Sequence, residues 1–136
     1  MSIGDPSGTV VAHVRDLLFS SRIAETARRL GYPFRAARSL EELKAALAEH
    51  PSLVMLDLTA SGLDMEGALG AIAGAGHPAP VLGWTTHVLW KTTKAFHGRC
   101  DRVITREQLT EELPEILRAY VEAESSSRRG GSAERS

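Results

Sequence analysis

The stretch "LVMLDLTASGLD", residues 53–64, decides the fold. Four apolar residues run into Asp57, and after Leu58 a loop of small residues follows. An ionised carboxylate is costly inside an apolar core unless it is paired, so a strand that carries one at its carboxyl end often delivers it to a site. Asp at a strand end also makes turns, and on these residues alone both readings stand.

Working outward, Ser52–Leu58 is almost continuously apolar, as a central parallel strand covered on both faces should be. Upstream, the β-branched run Thr9–Arg15 predicts a first strand. Phe19, Ile23, Ala27 and Leu30 recur at helical spacing, with Gly31 as the cap. Tyr32–Arg38 is a short second strand, and Ser39 to Glu42 has the capping-box form at the head of a helix that ends near Pro51. Downstream, Asp64–Gly76 has helical spacing at Met65, Leu69 and Ile72, but its glycines predict a short or loosely held helix. Ala79–Thr85 reads as a strand whose Gly83 lets a neighbour approach closely. A helix over His87–His97, a strand over Cys100–Thr105 and a helix over Thr110–Val121 complete the pattern. Pro114 fits only that last helix's first turn, or marks a kink.

Five strands alternating with five helices over short connections predict an α/β fold: a flavodoxin-like, doubly wound, five-stranded parallel sheet of order 2-1-3-4-5 with helices on both faces. The organisation expected is a disordered lead-in at 1–8, one domain over 9–123 and a disordered polar tail at 124–136. In such sheets chemistry gathers at the carboxyl ends of the strands, where Asp57, Thr85, Thr86, Arg15 and Asp16 all fall. That convergence tips Asp57 towards a site.

The bulk numbers are consistent with one domain. The chain has 136 residues, 43% of them hydrophobic, and 16 basic against 17 acidic residues give a formal charge of -1. Neither nucleic acid nor an anionic membrane is suggested by that balance. The single cysteine, Cys100, excludes an internal disulfide framework and suits a reducing cytoplasm. The opening MSIGDPSG lacks the features of a signal peptide, and no apolar run is long enough to span a bilayer, so a soluble cytoplasmic protein is expected.

From Thr9 to Val121 the chain resembles the CheY-like receiver domain of two-component response regulators. "PSLVMLDLTASGLD" looks like that family's phosphoacceptor strand and loop, with Asp57 at the acceptor position. "APVLGWTTH" looks like its fourth strand, with Thr85, or next Thr86, at the hydroxyl position. The resemblance implies magnesium held by Asp16 and Asp57, phosphorelay signalling with a histidine kinase or other signalling proteins as partners, and room for a homodimer. Elsewhere the pattern breaks. Where the family has an acidic pair the chain reads Val14-Arg15-Asp16-Leu17, leaving at most one carboxylate beside an arginine. Where the family has lysine and proline after the fifth strand, the chain reads "VITRE", with Thr105 or Arg106 near the lysine position. The aromatic residue that in the family often precedes that lysine appears here as Arg102, or is absent.

Losing a carboxylate and gaining a fixed guanidinium weakens a magnesium site, and phosphoryl transfer needs such cations to neutralise developing charge. The expectation is therefore a degenerate, stand-alone receiver-like module that signals through protein contacts and is not an enzyme. Arg15 or Arg106 is expected to pair with Asp57. The alternatives are an authentic phosphoacceptor on Asp57 and a flavodoxin-like domain binding a small anion at the same strand ends.

Other motifs carry less. His13, His87 and the nearby threonines lack the elbow and oxyanion loop of a hydrolase triad, and no histidines have metal-ligand spacing. The glycines of GALGAIAGAG read as close helix packing. Trp84 reads as core, and Trp90, beside Arg102 in the family's partner region, divides between core and interface.

Overall fold

The apolar run before Asp57 forms the middle of a sheet. The computed structural model describes residues 8–60 and 62–135, with side-chain surroundings as far as Glu122. The expectations for the lead-in and the polar tail fall outside the residues whose surroundings are described. Strand β3 (Leu53–Asp57) is buried along its whole length, flanked by β1 (Val10–His13) and β4 (Val81–Thr85). The short β2 (Phe34–Ala36) pairs with β1, and β5 (Arg102–Thr105) closes the other edge. All pairings are parallel and the order is β2-β1-β3-β4-β5, as the strand–helix alternation predicts. Each strand is shorter than its β-rich stretch of sequence because the outer residues turn into loops.

Alternation of side chains splits the core into two layers. Val10, Ala12, Leu53, Met55, Leu82 and Trp84 pack with residues of helices α1 (Leu17–Arg29) and α5 (Arg106–Arg135). Val11, Val54, Leu56 and Val81 pack with residues of α2 (Leu40–Leu47) and α3 (Met65–Gly74). Wholly buried residues such as Ile23 and Leu117 contribute roughly 1.5–3 kcal/mol each in burial.

Capping chemistry sets the helix ends. Asp16 caps α1, accepting from the backbone N–H of Leu18 and Phe19 at 3.0 and 3.2 Å. The helix stops in a Schellman motif. Gly31 takes a positive φ and donates to the Arg28 carbonyl, while Tyr32 donates to that of Ala27. Ser39 caps α2 by accepting from Glu42 N–H, but Glu42 reaches the N–H of Arg38, one residue earlier than the capping box prescribes.

Two helix expectations need correction. Residues 87–93 form successive turns, and α4 is a single turn (Lys94–His97). The last helix begins at Arg106, because the Thr105 hydroxyl accepts from Gln108 N–H and starts it early. Glu112 leaves helical geometry, so Pro114 both follows a kink and sits in the first turn after it. The glycines of α3 are corrected in part. Only Gly67 is closely packed, against Asp64 and Leu40, whereas a Cβ at Gly70 or Gly74 would meet open space. Gly83 does admit close neighbours, the side chains of Leu58 and Cys100.

Candidate functional site at the carboxyl edge of the sheet

Strands β1, β3, β4 and β5 bring most of the expected residues to one edge. Asp57 ends β3 with 5% of its surface exposed. One of its oxygens accepts from the Thr59 N–H at 3.0 Å and the Thr59 hydroxyl at 2.6 Å, the turn chemistry expected of an Asp at a strand end. The β1 register places Val14 and Arg15 just past His13↔Leu56, level with Asp57 and Leu58. A hydrophobe and an arginine therefore follow β1 beside the end of β3.

Neither guanidinium pairs with Asp57, which corrects the expected contact. Arg106 Nη2 binds Asp16 Oδ2 at 3.0 Å and lies over the Phe19 ring, 4.5 Å from its centroid. Arg15 reaches 3.5 Å from the Gly62 carbonyl, and a Cβ on Gly62 would collide with its guanidinium. The crowded acid is Asp16. Its Oδ1 caps α1 while its Oδ2 holds Arg106, and the Phe19 N–H, then Arg106, hold the carboxyl below its ordinary pKa. Phe19 in turn packs on Trp84, with ring centroids 5.3 Å apart. Cation, phenyl ring and indole thus follow one another into the core. The indole Nε1 of Trp84 is buried and meets no acceptor among the described residues.

The threonines divide. Thr85, fully buried, bonds Thr93 at 3.0 Å. The Thr86 hydroxyl accepts from Leu89 N–H, and Thr86 lines a shallow groove of about 350 Å³ with Arg106, Glu107, Thr110 and Glu111. Thr105 caps α5 and lies level with Thr85 in the β4–β5 register. Arg102 is exposed on the edge strand β5, and Trp90 is 36% exposed and packs edge-on against His97 at 4.8 Å.

His13 and Cys100 have structural partners. His13 is buried, shares Nδ1 with the Ala37 carbonyl at 2.8 Å, and is pushed below the ordinary histidine pKa by burial, against the pull of that carbonyl and of Glu42. Burial pushes the Cys100 thiol up to about 11. Among the described residues, no three of His, Cys, Asp or Glu converge as metal ligands.

The capping role of Asp16 had a sequence signal, since an Asp just before an apolar-periodic run is a helix N-cap pattern. Thr93, the partner of Thr85, carries no such signal, because only the turns of 87–93 bring it back to β4.

No family model and no curated protein matches the sequence. Solved structures do match. NtrX from Brucella abortus is 19% identical with a TM-score of 0.72, covering 92% of this chain and 29% of its own. The receiver domain of the sensor histidine kinase PA1611 from Pseudomonas aeruginosa, which holds magnesium in its active site cleft, is 15% identical with a TM-score of 0.69, over 85% of this chain and 98% of its own. This is the receiver fold. The chemotaxis response regulator CheY4 of Vibrio cholerae shares it at 16% identity and a TM-score of 0.61, over 80% and 98% of the two chains. So does an adenylate cyclase from Rhodopirellula baltica, at 13% identity and a TM-score of 0.66 over 95% and 98%. The receiver fold alone therefore does not specify an activity. The chain spans under a third of the length of NtrX.

Proposed function

We propose that this receiver-fold domain is a signalling module whose state is set by protein contacts and not by phosphoryl transfer to Asp57. One observation carries the reading: both oxygens of Asp16, the acid nearest the first strand's end, are committed, one to the α1 cap and one to Arg106. Magnesium demands near-octahedral oxygen geometry and is usually held by carboxylates together with phosphate oxygens. Val14 and Arg15 offer no carboxylate beside Asp57, and one oxygen of Asp57 already serves Thr59, so this donor set does not fit the ion. Thr105 stands in the lysine's neighbourhood with its hydroxyl spent on capping, and Arg106 is turned to Asp16. The groups that would neutralise a transferring phosphoryl group are therefore absent or engaged.

The partner surface in this reading takes in the exposed Trp90 and Arg102, together with Val88 (87% exposed), Lys91 and Lys94, which are exposed near Trp90 in the chain. Aromatic anchors ringed by charge suit recognition of another protein, and the partners are cytoplasmic signalling proteins. A specific observation favours the phosphoacceptor alternative. Asp57 carries no salt bridge among the described residues, leaving its second oxygen free to react.

Amide spectra recorded with beryllofluoride and magnesium separate the two. No saturable shift is expected in the wild type. A shift seen in the wild type and lost in Asp57→Ala overturns the proposal in favour of ordinary phosphoacceptor chemistry.

A further inference from the structure

Helix α1 turns Phe19, Ile23 and Ala27 to the core and leaves Leu17 and Leu18 outside, with 54% and 83% of their surfaces exposed. Two adjacent leucines in water on one helix mark an apolar face that folding does not use. Arg22, one turn beyond Leu18, is exposed and forms no ion pair among the described residues, whereas Arg28 and Arg29 share Glu25. Helix α5 presents the opposite charge. Glu107, Glu111, Glu112 and Glu115 are exposed, and none of them meets a cation among the described residues.

The two helices lie side by side and in step. Asp16 at the head of α1 binds Arg106 at the head of α5, and Tyr32, just past the end of α1, donates its hydroxyl to Glu122 at 2.8 Å. Each of these pairs joins residues 90 apart in sequence, so a residue on α1 lies level with the one 90 places later on α5. Arg22 therefore stands level with Glu112 and, at a helical rise of about 1.5 Å per residue, within one such step of Glu111. Between the helices runs a cleft of about 350 Å³, walled by Leu18, Phe19 and Arg22 on one side and by Arg106 and Thr110 on the other. A second groove of the same volume shares Arg106 and Thr110 and extends to Glu107 and Glu111.

We propose that this face binds a second copy of the chain about a two-fold axis running along the cleft, parallel to both helices. Such an axis preserves the levels and lays α1 of each copy over α5 of the other, so that one set of contacts is made twice. Leu17 and Leu18 of each copy cover the α5 groove of the other, and Arg22 meets Glu111 across the axis. The match is one of charge: the basic, leucine-bearing helix faces the acidic helix in both directions. A net charge of -1 leaves little long-range repulsion between copies. The leucines supply the dry centre, and the arginine–glutamate pairs set the register at its rim. The assembly goes beyond the contact-driven reading above, since it requires nothing of Asp57 or of the surface at Trp90.

Sedimentation equilibrium of the full chain at low ionic strength is the test. The wild type should pass from monomer to dimer as concentration rises, and added salt should weaken the dimer by screening the rim pairs. Arg22→Glu and Glu111→Arg each turn two attractive pairs into two repulsive ones, and each should raise the dissociation constant by about tenfold. The double variant Arg22→Glu/Glu111→Arg restores opposite charges across the axis and should associate like the wild type. Leu18→Ser should weaken the dimer at every salt concentration. A wild type that stays monomeric throughout overturns the proposal, as does a dimer that both single charge reversals leave intact. A double variant no tighter than either single one overturns the pairing of Arg22 with Glu111, and with it the axis. Should a variant not fold, amide shifts of the wild type across a dilution series take its place. Concentration-dependent shifts centred on 17–22 and 106–111 are then expected, and shifts centred on 65–75 or 87–102 overturn the proposal.

Discussion

Replacing Gly70 and Gly74 with alanine should stabilise the protein. Gly70 lies inside α3 and Gly74 is its last residue, both with φ outside the left-handed region, and a Cβ at either position meets nothing within 4 Å. Glycine in a helix interior costs about 0.8–1.0 kcal/mol relative to alanine, because the unfolded chain surrenders more freedom. The two sites are one turn apart and share no partner, and Gly74, at the helix end, gains less than Gly70, so the gains should add to about 1.5 kcal/mol. For a domain of this length, each kcal/mol corresponds to roughly 3–5 °C in melting temperature, placing the double variant about 5–8 °C above wild type. Calorimetry reads that shift, and urea unfolding should show a higher midpoint at unchanged slope. Gly67→Ala is the internal contrast. Its Cβ falls on the Asp64 carboxylate that caps α3 and lies 3.2 Å from Leu40 Cδ2. It should therefore lower the melting temperature by displacing a cap worth about 1 kcal/mol. A double variant that melts below wild type would refute the reasoning, for it would mean that the glycine face is covered in solution, by a second copy or by a rearranged α2.

Burial lowers the folded-state pKa of His13, so its contribution is complete above the unfolded value of 6.5 and is lost as pH falls through the folded value. Stability measured from pH 7 to pH 5 should decline, and His13→Asn, which can still donate to the Ala37 carbonyl, should flatten that decline. Cys100, with its thiol pushed up to about 11, should resist alkylation at pH 8 in the folded protein and react at the ordinary rate in urea; equal rates in both would contradict its burial. Gly83→Ala places a Cβ 3.0 Å from Leu58 Cδ1 and 3.1 Å from Cys100 Sγ. Such overpacking should cost about 1–3 kcal/mol in chemical denaturation.

The sheet was legible in the sequence because its signals are local. Continuous apolar runs mark β3 and β4, glycine and proline punctuate the connections, and Gly31 announces a helix stop that the structure builds in full. The position of Asp57 was legible for the same reason, as a carboxylate at the end of such a run. Its surroundings were not. Which cation meets which acid depends on side chains far apart in the chain, and Arg106 went to Asp16, whose place at the head of α1 already drew it to backbone N–H groups. The spacing over 87–97 predicts a helix, but with Thr93 bonded back to Thr85 the chain closes into turns, an instance of tertiary contact overriding propensity. Pro114 allowed two outcomes, and the kink at Glu112 reconciles them.

The carboxylate of Asp16 joins the beginning of one helix to the beginning of another that is distant in sequence. Freeing that acid for any other duty removes the cap of α1 and strands Arg106 over Phe19 in the same step, so one substitution at residue 16 loosens two helix starts at once.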